Sequence, residues 1–173
     1  MTTLKELTHN NHVVAENHPF TKLLLSGNLP IDIYATFLAN QFVQYQALES
    51  SAKHLLAEIP GLARSELILE DLLELNQPVI FFNSTVEYCK YVKDLTDHQL
   101  WAHIYVKHMG DLYGGQLIKT KVMGSGLWYT FDNRKLLIDK LRSKLDISMA
   151  DEANRCFESA IELFNRIASE YNL

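Results

Sequence analysis

The sequence predicts an all-α protein, one bundle of about eight helices over residues 1–173. Three observations lead there. Apolar residues recur at three- and four-residue spacing almost throughout, no stretch sustains the alternation of a half-buried strand, and only 7 Gly and 4 Pro occur in the whole chain. With 47% hydrophobic and 21% charged residues in 173, the chain is long enough to bury a core of its own.

The first helix is expected over about Thr3–Glu16, stopping before Pro19 because the residue ahead of a proline is disfavoured in the α region. A short helix then covers Phe20–Ser26, with Gly27 as its stop. A long helix follows over about Pro30–Glu58, starting with proline in the first turn and carrying Tyr34, Phe37, Leu38, Phe42, Tyr45 and Leu48 on its apolar face. After Pro60-Gly61 comes Ala63–Leu75. Ser84-x-x-Glu87 and Thr96-x-x-Gln99 each read as a capping box opening a further helix. Val79–Phe82 is the one strand-like run, and it has no partner. The last helix follows Ser148, with Ala153, Phe157, Ala160, Ile161, Phe164, Ile167 and Ala168 on one stripe.

A net charge of −5 argues against a protein that wraps nucleic acid, which needs a concentrated Lys/Arg face. Cys89 and Cys156 stand far apart with no second cysteine nearby, so no CxxC redox or zinc signature is present, and the pattern fits a reducing compartment. The polar N-terminus and the lack of any long apolar run predict a cytoplasmic protein with no membrane span.

The helix expected from Thr96 runs through Trp101, His103, Ile104, Tyr105 and Met109 into Gly110-Asp111-Leu112-Tyr113-Gly114-Gly115-Gln116. Each glycine costs roughly 1 kcal/mol relative to alanine inside a helix, so about 3 kcal/mol is conceded here if all three are helical. Two explanations are open. The glycines can simply make a turn between helices. Alternatively Gly110 and Gly114, four apart, present one bare face on which a flat ligand could approach the backbone, with Asp111 beside it. A carboxylate next to an apolar ligand is costly unless hydrated, which makes Asp111 a candidate for holding ordered water.

The first helix carries the complementary feature. Lys5, His9, His12 and Glu16 are spaced four, three and four apart, close to one face. Seven residues of helix rise about 10 Å, so an imidazole at His12 could reach a metal while Lys5 met a distant anionic edge of the same ligand. His18, His54 and His98 are read as ordinary surface or core histidines.

These segments resemble the haem oxygenase family. Leu4-Lys5-Glu6-Leu7-Thr8 through His12-Val13-Val14-Ala15-Glu16-Asn17 looks like the proximal helix, and Ala102-His103-Ile104-Tyr105 followed by Gly110-Asp111-Leu112-Tyr113-Gly114-Gly115-Gln116 looks like the kinked distal helix. Trp128-Tyr129-Thr130-Phe131-Asp132-Asn133 and Leu141-Arg142-Ser143-Lys144 are similar to later segments of the family. Haem is a flat iron macrocycle with an anionic edge, the shape that the spacing of Lys5 and His12 suits. The resemblance implies haem sandwiched between the two helices, with His12 as iron ligand, Lys5 and Arg142 near the propionates, and Gly110, Gly114 and Gly115 against the ring. It further implies Asp111 as the catalytic group holding distal water, Tyr105 in the same hydrogen-bonded network, and Glu16 orienting the His12 ring.

The implied reaction is oxidative opening of haem to biliverdin, carbon monoxide and ferrous iron, with haem as both cofactor and substrate and O2 as oxidant. Electrons must come from outside, because no GxGxxG follows a strand and Gly124-Ser125-Gly126 is too short a signal for a nucleotide site. A ferredoxin or flavoprotein reductase would dock on Lys107, Lys119, Lys121 or Lys144. Two departures stand out: Tyr113 occupies a position where the family commonly has a small residue, and His9 stands where relatives are often basic. Other chemistries remain open from the sequence. These are non-haem metal binding by His9, His12 and Glu16, a thiaminase-like hydrolase using Cys89 or Cys156, and a haem carrier without turnover.

Overall fold

The computed structural model describes residues 1–173 and is helical from end to end, without a strand. In order the helices are α1 (Leu4–Leu7), α2 (His9–Asn17), α3 (Pro19–Ser26), α4 (Ile31–Ser51), α5 (Lys53–Leu56), α6 (Ser65–Leu75), α7 (Asn83–Tyr91), α8 (Asp97–Tyr113), α9 (Gly115–Ile118), α10 (Arg134–Arg142) and α11 (Ala150–Tyr171). Single 3-10 turns lie at Val92–Asp94, Leu127–Tyr129 and Ile147–Met149.

Eleven helical segments replace the expected eight or so, because three long helices are each divided. Thr8 separates α1 from α2: its Oγ1 donates back to the Leu4 carbonyl at 3.0 Å, the kind of side-chain competition that distorts a helix. Lys5 and His12 therefore lie on consecutive helices, so the straight rise assumed between them does not apply. Ala52, with φ −98° and ψ 16°, separates α4 from α5. The third division falls at Gly114, and it is mild, since Gly114 keeps helical dihedrals of −63° and −32°.

α4 is the central helix, buried on nearly every side from Ile33 to Gln41. Its polar residues hold neighbouring backbone. Asn40 and Thr36 act as side-chain partners for the extended segment 79–82, with Ile80 N–H donating to Thr36 Oγ1 at 3.3 Å and Phe82 N–H to Asn40 Oδ1 at 3.2 Å. That is why a strand-like run needs no second strand. The expected Ser84 capping box does not form, since α7 already begins at Asn83 and Ser84 Oγ is buried without a partner. Boxes do form at Thr96–Gln99 and at Thr3–Glu6. His18 caps α3, accepting from Phe20 N–H through Nδ1.

Two apolar clusters make up the core. One gathers Leu48, Trp101, Ile104, Leu112, Leu137 and Leu141 beneath α8, and the other Phe20, Phe37, Tyr45, Trp128 and Leu163 beneath α3 and α11. α11, whose polar and apolar sides are sharply divided, lies along α8 and also supports α2 and α3. It is thus the shared wall between the two segments singled out in the sequence. No helix is long and apolar enough to cross a membrane.

Candidate functional site

On the proximal side, α2 is fastened to α11 by polar contacts. Asn11 Nδ2 donates to Asn154 Oδ1 at 3.0 Å, and Asn154 Nδ2 donates to the Leu7 carbonyl at 3.2 Å. The His12 ring stands edge-on to Phe157 with centroids 5.9 Å apart. Its Nδ1 faces Glu16 Oε2 at 3.5 Å, and the side chain is half exposed. Nε2 is thereby left free of any partner in the chain. Lys5 is exposed and unpaired. His9, His12 and Glu16 do not gather into a three-ligand metal site, and no such group of His, Cys, Asp or Glu exists in the structure.

On the distal side, α8 continues through Gly110, and the turn that parts α8 from α9 falls at Gly114 alone, whose dihedrals stay helical. A Cβ placed on Gly110 would meet nothing within 4 Å, and one on Gly114 only the Gly110 carbonyl at 3.5 Å. Both residues are exposed, so helical backbone is laid bare along one face. Gly115 is different. A Cβ there would stand 2.5 Å from the Tyr129 ring, so its missing side chain serves close packing on the Leu127–Tyr129 turn.

Asp111 points the other way, into the interior. Its Oδ2 accepts from the Tyr45 hydroxyl at 2.8 Å, and burial raises its carboxyl from the ordinary 3.8 to about 6, against the opposing pull of His108, the Tyr45 hydroxyl and Lys107. One turn earlier, Lys107 is buried beneath Tyr45 and Tyr88, donating to Gln41 and Gln44 at 3.3 and 3.0 Å. Burial lowers its ammonium, and it has no carboxylate within ion-pair distance. His108 Nε2 meets Glu49 Oε1 at 3.0 Å, while its buried Nδ1 has no protein partner. Glu49 also accepts from the backbone N–H groups of Arg64 and Ser65 at 2.6 and 3.0 Å, capping α6 from another helix.

The structure therefore brings Gly110 and Asp111 together on α8 with Gly114 at its end, and His12 across the shared α11 wall. Tyr105 is half-buried against the first apolar cluster and makes no hydrogen bond; the hydroxyl on Asp111 comes from Tyr45. Tyr45, Lys107, His108 and Glu49 are absent from the sequence-based site. Their signal was the four-residue spacing of Gln41, Tyr45 and Glu49 along a helix otherwise read only for its apolar face. Lys107 cannot be a docking lysine because it is buried, and Lys144 is ion-paired with Glu58. Arg142 ends α10 and donates to the Tyr113 hydroxyl at 2.7 Å. A recess of about 460 Å³ lies elsewhere, between α4 and α7, and is lined by Val43, Ala47, Ser50, Cys89 and Lys93.

The donor set fits haem. An imidazole with a free Nε2, a bare helical face, and two cations without carboxylate partners are what an iron macrocycle with an anionic edge requires. Comparison with known proteins agrees. Residues 1–166 match the family model described as Heme oxygenase. Heme oxygenase 2 of Synechocystis sp. is 29% identical over 91% of this chain and 76% of that protein. The Heme oxygenase of Rhodella violacea is 26% identical over 97% and 86% of the two chains. The crystal structure of heme oxygenase-1 from Synechocystis in complex with heme shares the fold with a TM-score of 0.84 at 24% identity, covering 96% of this chain and 91% of that one. The heme oxygenase of Leptospira interrogans superposes with a TM-score of 0.82 at 25% identity, covering 94% and 97%.

Proposed function

From the premise that this chain belongs to the haem oxygenase family, we propose how its residues divide the work of opening haem to biliverdin, carbon monoxide and ferrous iron. The enzyme degrades haem, and haem is substrate and cofactor at once. Bound haem supplies the iron that activates O2 and the ring that is cut, while electrons arrive from an external donor.

His12 holds the iron through Nε2. Glu16, 3.5 Å from Nδ1, favours a proton on that nitrogen and so fixes the tautomer that leaves Nε2 as the ligand. Gly110 and Gly114 let the macrocycle lie against backbone, because any side chain on that face would project into the space the ring needs. Asp111 holds and passes a proton at its second carboxylate oxygen, with Oδ2 fixed by Tyr45. A carboxyl raised to about 6 can give up and regain a proton near neutral pH, whereas an ordinary aspartate stays ionised there. Lys5 and Arg142 take the anionic edge of the ring. Gly115 contributes through packing on Tyr129, and Tyr105 through packing on the first apolar cluster.

A ferredoxin or flavoprotein reductase is the electron donor in this reading, steered by exposed lysine at Lys121 with Lys119 beside it. The two free cysteines fit a cytoplasmic location, where thiols stay reduced. The observation that carries the site assignment is the bare Gly110–Gly114 face on the helix that holds a buried, proton-poised Asp111. Aerobic hemin turnover with a chemical reductant, followed by absorption spectra and product chromatography, tests it. Biliverdin is expected from the wild type and none from Asp111→Ala, while normal biliverdin formation by that variant would remove Asp111 from the mechanism.

A further inference from the structure

We propose that Tyr113 is a positioning residue, which holds the Arg142 guanidinium at the rim of the Gly110–Gly114 face and so sets how a ligand's carboxylate edge is oriented there. The inference rests on the preceding assignment of haem to that face. Tyr113 is the last residue of α8, one before Gly114 and three after Gly110, which puts it on the shoulder of the bare strip. Arg142 is the last residue of α10, a helix tied to α8 by Arg134 Nε donating to the Leu112 carbonyl at 2.8 Å and by buried Leu137 and Leu141. The helix ends are fixed, so the Arg142 side chain itself is the adjustable part. One of its terminal N–H groups donates to the Tyr113 hydroxyl at 2.7 Å, and the guanidinium carbon sits 5.9 Å from the ring centroid.

The nature of the acceptor is what makes this a device for binding. A phenol oxygen is neutral, so it aims the guanidinium without cancelling its charge, and most of the five N–H donors stay available. No carboxylate lies within ion-pair distance of Arg142, whereas Lys144, two residues on, is neutralised by Glu58. A cation fixed in direction and left uncompensated is prepared for an anion from outside the chain, and a carboxylate can be met by two parallel N–H bonds. With one carboxylate arm held, rotation of a flat macrocycle about its iron is restricted. Tyr113 thereby helps choose which ring edge lies beneath Gly110.

The test is hemin titration, read from the Soret band, on the wild type, Tyr113→Phe, Arg142→Gln and the double variant, repeated with hemin dimethyl ester, which has no carboxylates. Both side chains are exposed, so these changes leave the core intact. Tyr113→Phe should weaken hemin binding about five-fold, the scale of one ordinary exposed hydrogen bond. It should have no effect on the dimethyl ester, and none when Arg142 is already glutamine. In turnover it should broaden the mixture of biliverdin isomers resolved by chromatography. An equal loss for hemin and its ester, or a loss that persists in the Arg142→Gln background, would overturn the inference and leave Tyr113 as a packing surface. A wild type that leaves the Soret band of free hemin unchanged would instead overturn the haem assignment itself, and the inference with it.

Discussion

Replacing Asp111 with asparagine should stabilise the ligand-free protein while abolishing ring opening. Asp111 is 5% exposed and has one hydroxyl partner, and burial raises its carboxyl from 3.8 to about 6. A group that holds its proton more tightly in the fold than in the unfolded chain favours folding while protonated. That contribution is complete below about pH 3.8 and is lost as pH rises through about 6. Above that range the ionised carboxylate costs the folded state up to about 3 kcal/mol relative to the acid limit. Asparagine keeps an oxygen to accept from Tyr45 and carries no charge. At 2–4 °C per kcal/mol for a chain of this size, the whole term would raise Tm by about 6–12 °C. Lys107, one turn away with no ion-pair partner, loses an attraction in the same substitution, so a gain of about 5 °C at pH 8 is expected. Thermal melts of the ligand-free wild type and variant between about pH 4 and pH 8 are the assay, and the gap should close toward the acid end. A difference that does not change with pH, or a variant that melts lower at pH 8, would refute the reasoning.

His12→Ala should lose the axial ligand, and its ferric hemin spectrum should change accordingly; free imidazole should restore it in part, and an unchanged spectrum would remove the ligand assignment. Gly110→Ala and Gly115→Ala should separate binding from folding. At Gly110 the new Cβ meets open space, so the ligand-free protein should gain up to about 1 kcal/mol by denaturant titration while hemin turnover falls. At Gly115 the new Cβ would collide with Tyr129 at 2.5 Å, so the same measurement should show a loss of stability, and equal effects at the two glycines would refute the distinction. Lys121→Glu should slow reduction by an acidic carrier and weaken its salt dependence; reduction at the wild-type rate would place the docking face elsewhere.

The fold class and most helices were legible because they rest on spacing that neighbours cannot alter. Helix boundaries were legible only where local chemistry decided them. Thr96 caps α8 as its sequence suggests, but Ser84 does not cap α7, because Asn40 of α4 receives both Phe82 N–H and the Thr85 hydroxyl and the helix starts two residues earlier. The division at Thr8 turns on whether a threonine hydroxyl bonds back to a carbonyl, which the spacing of apolar residues does not encode. Within the site, His12, Gly110 and Asp111 stood out through motif and company. Lys107 could not, since a lysine on a helix looks like a surface residue until Gln41 and Gln44 are brought opposite it.

Two buried carboxylates on facing helices show how the structure separates scaffold from chemistry. Glu49 accepts from two backbone N–H groups and is bonded to His108, and despite its burial these partners hold it below the ordinary carboxylate range. Asp111, equally removed from water, accepts from the Tyr45 hydroxyl beside the Trp128 indole and the cations of His108 and Lys107, and burial still wins. The cost of an unmet polar group is comparable at either position, so the difference lies in whether the partner set is closed by the chain. Where it is closed, the carboxylate fastens one helix to the start of another. Where it is left open, on the helix that bares Gly110, stability is given up at a place that a bound ligand and its water would make good.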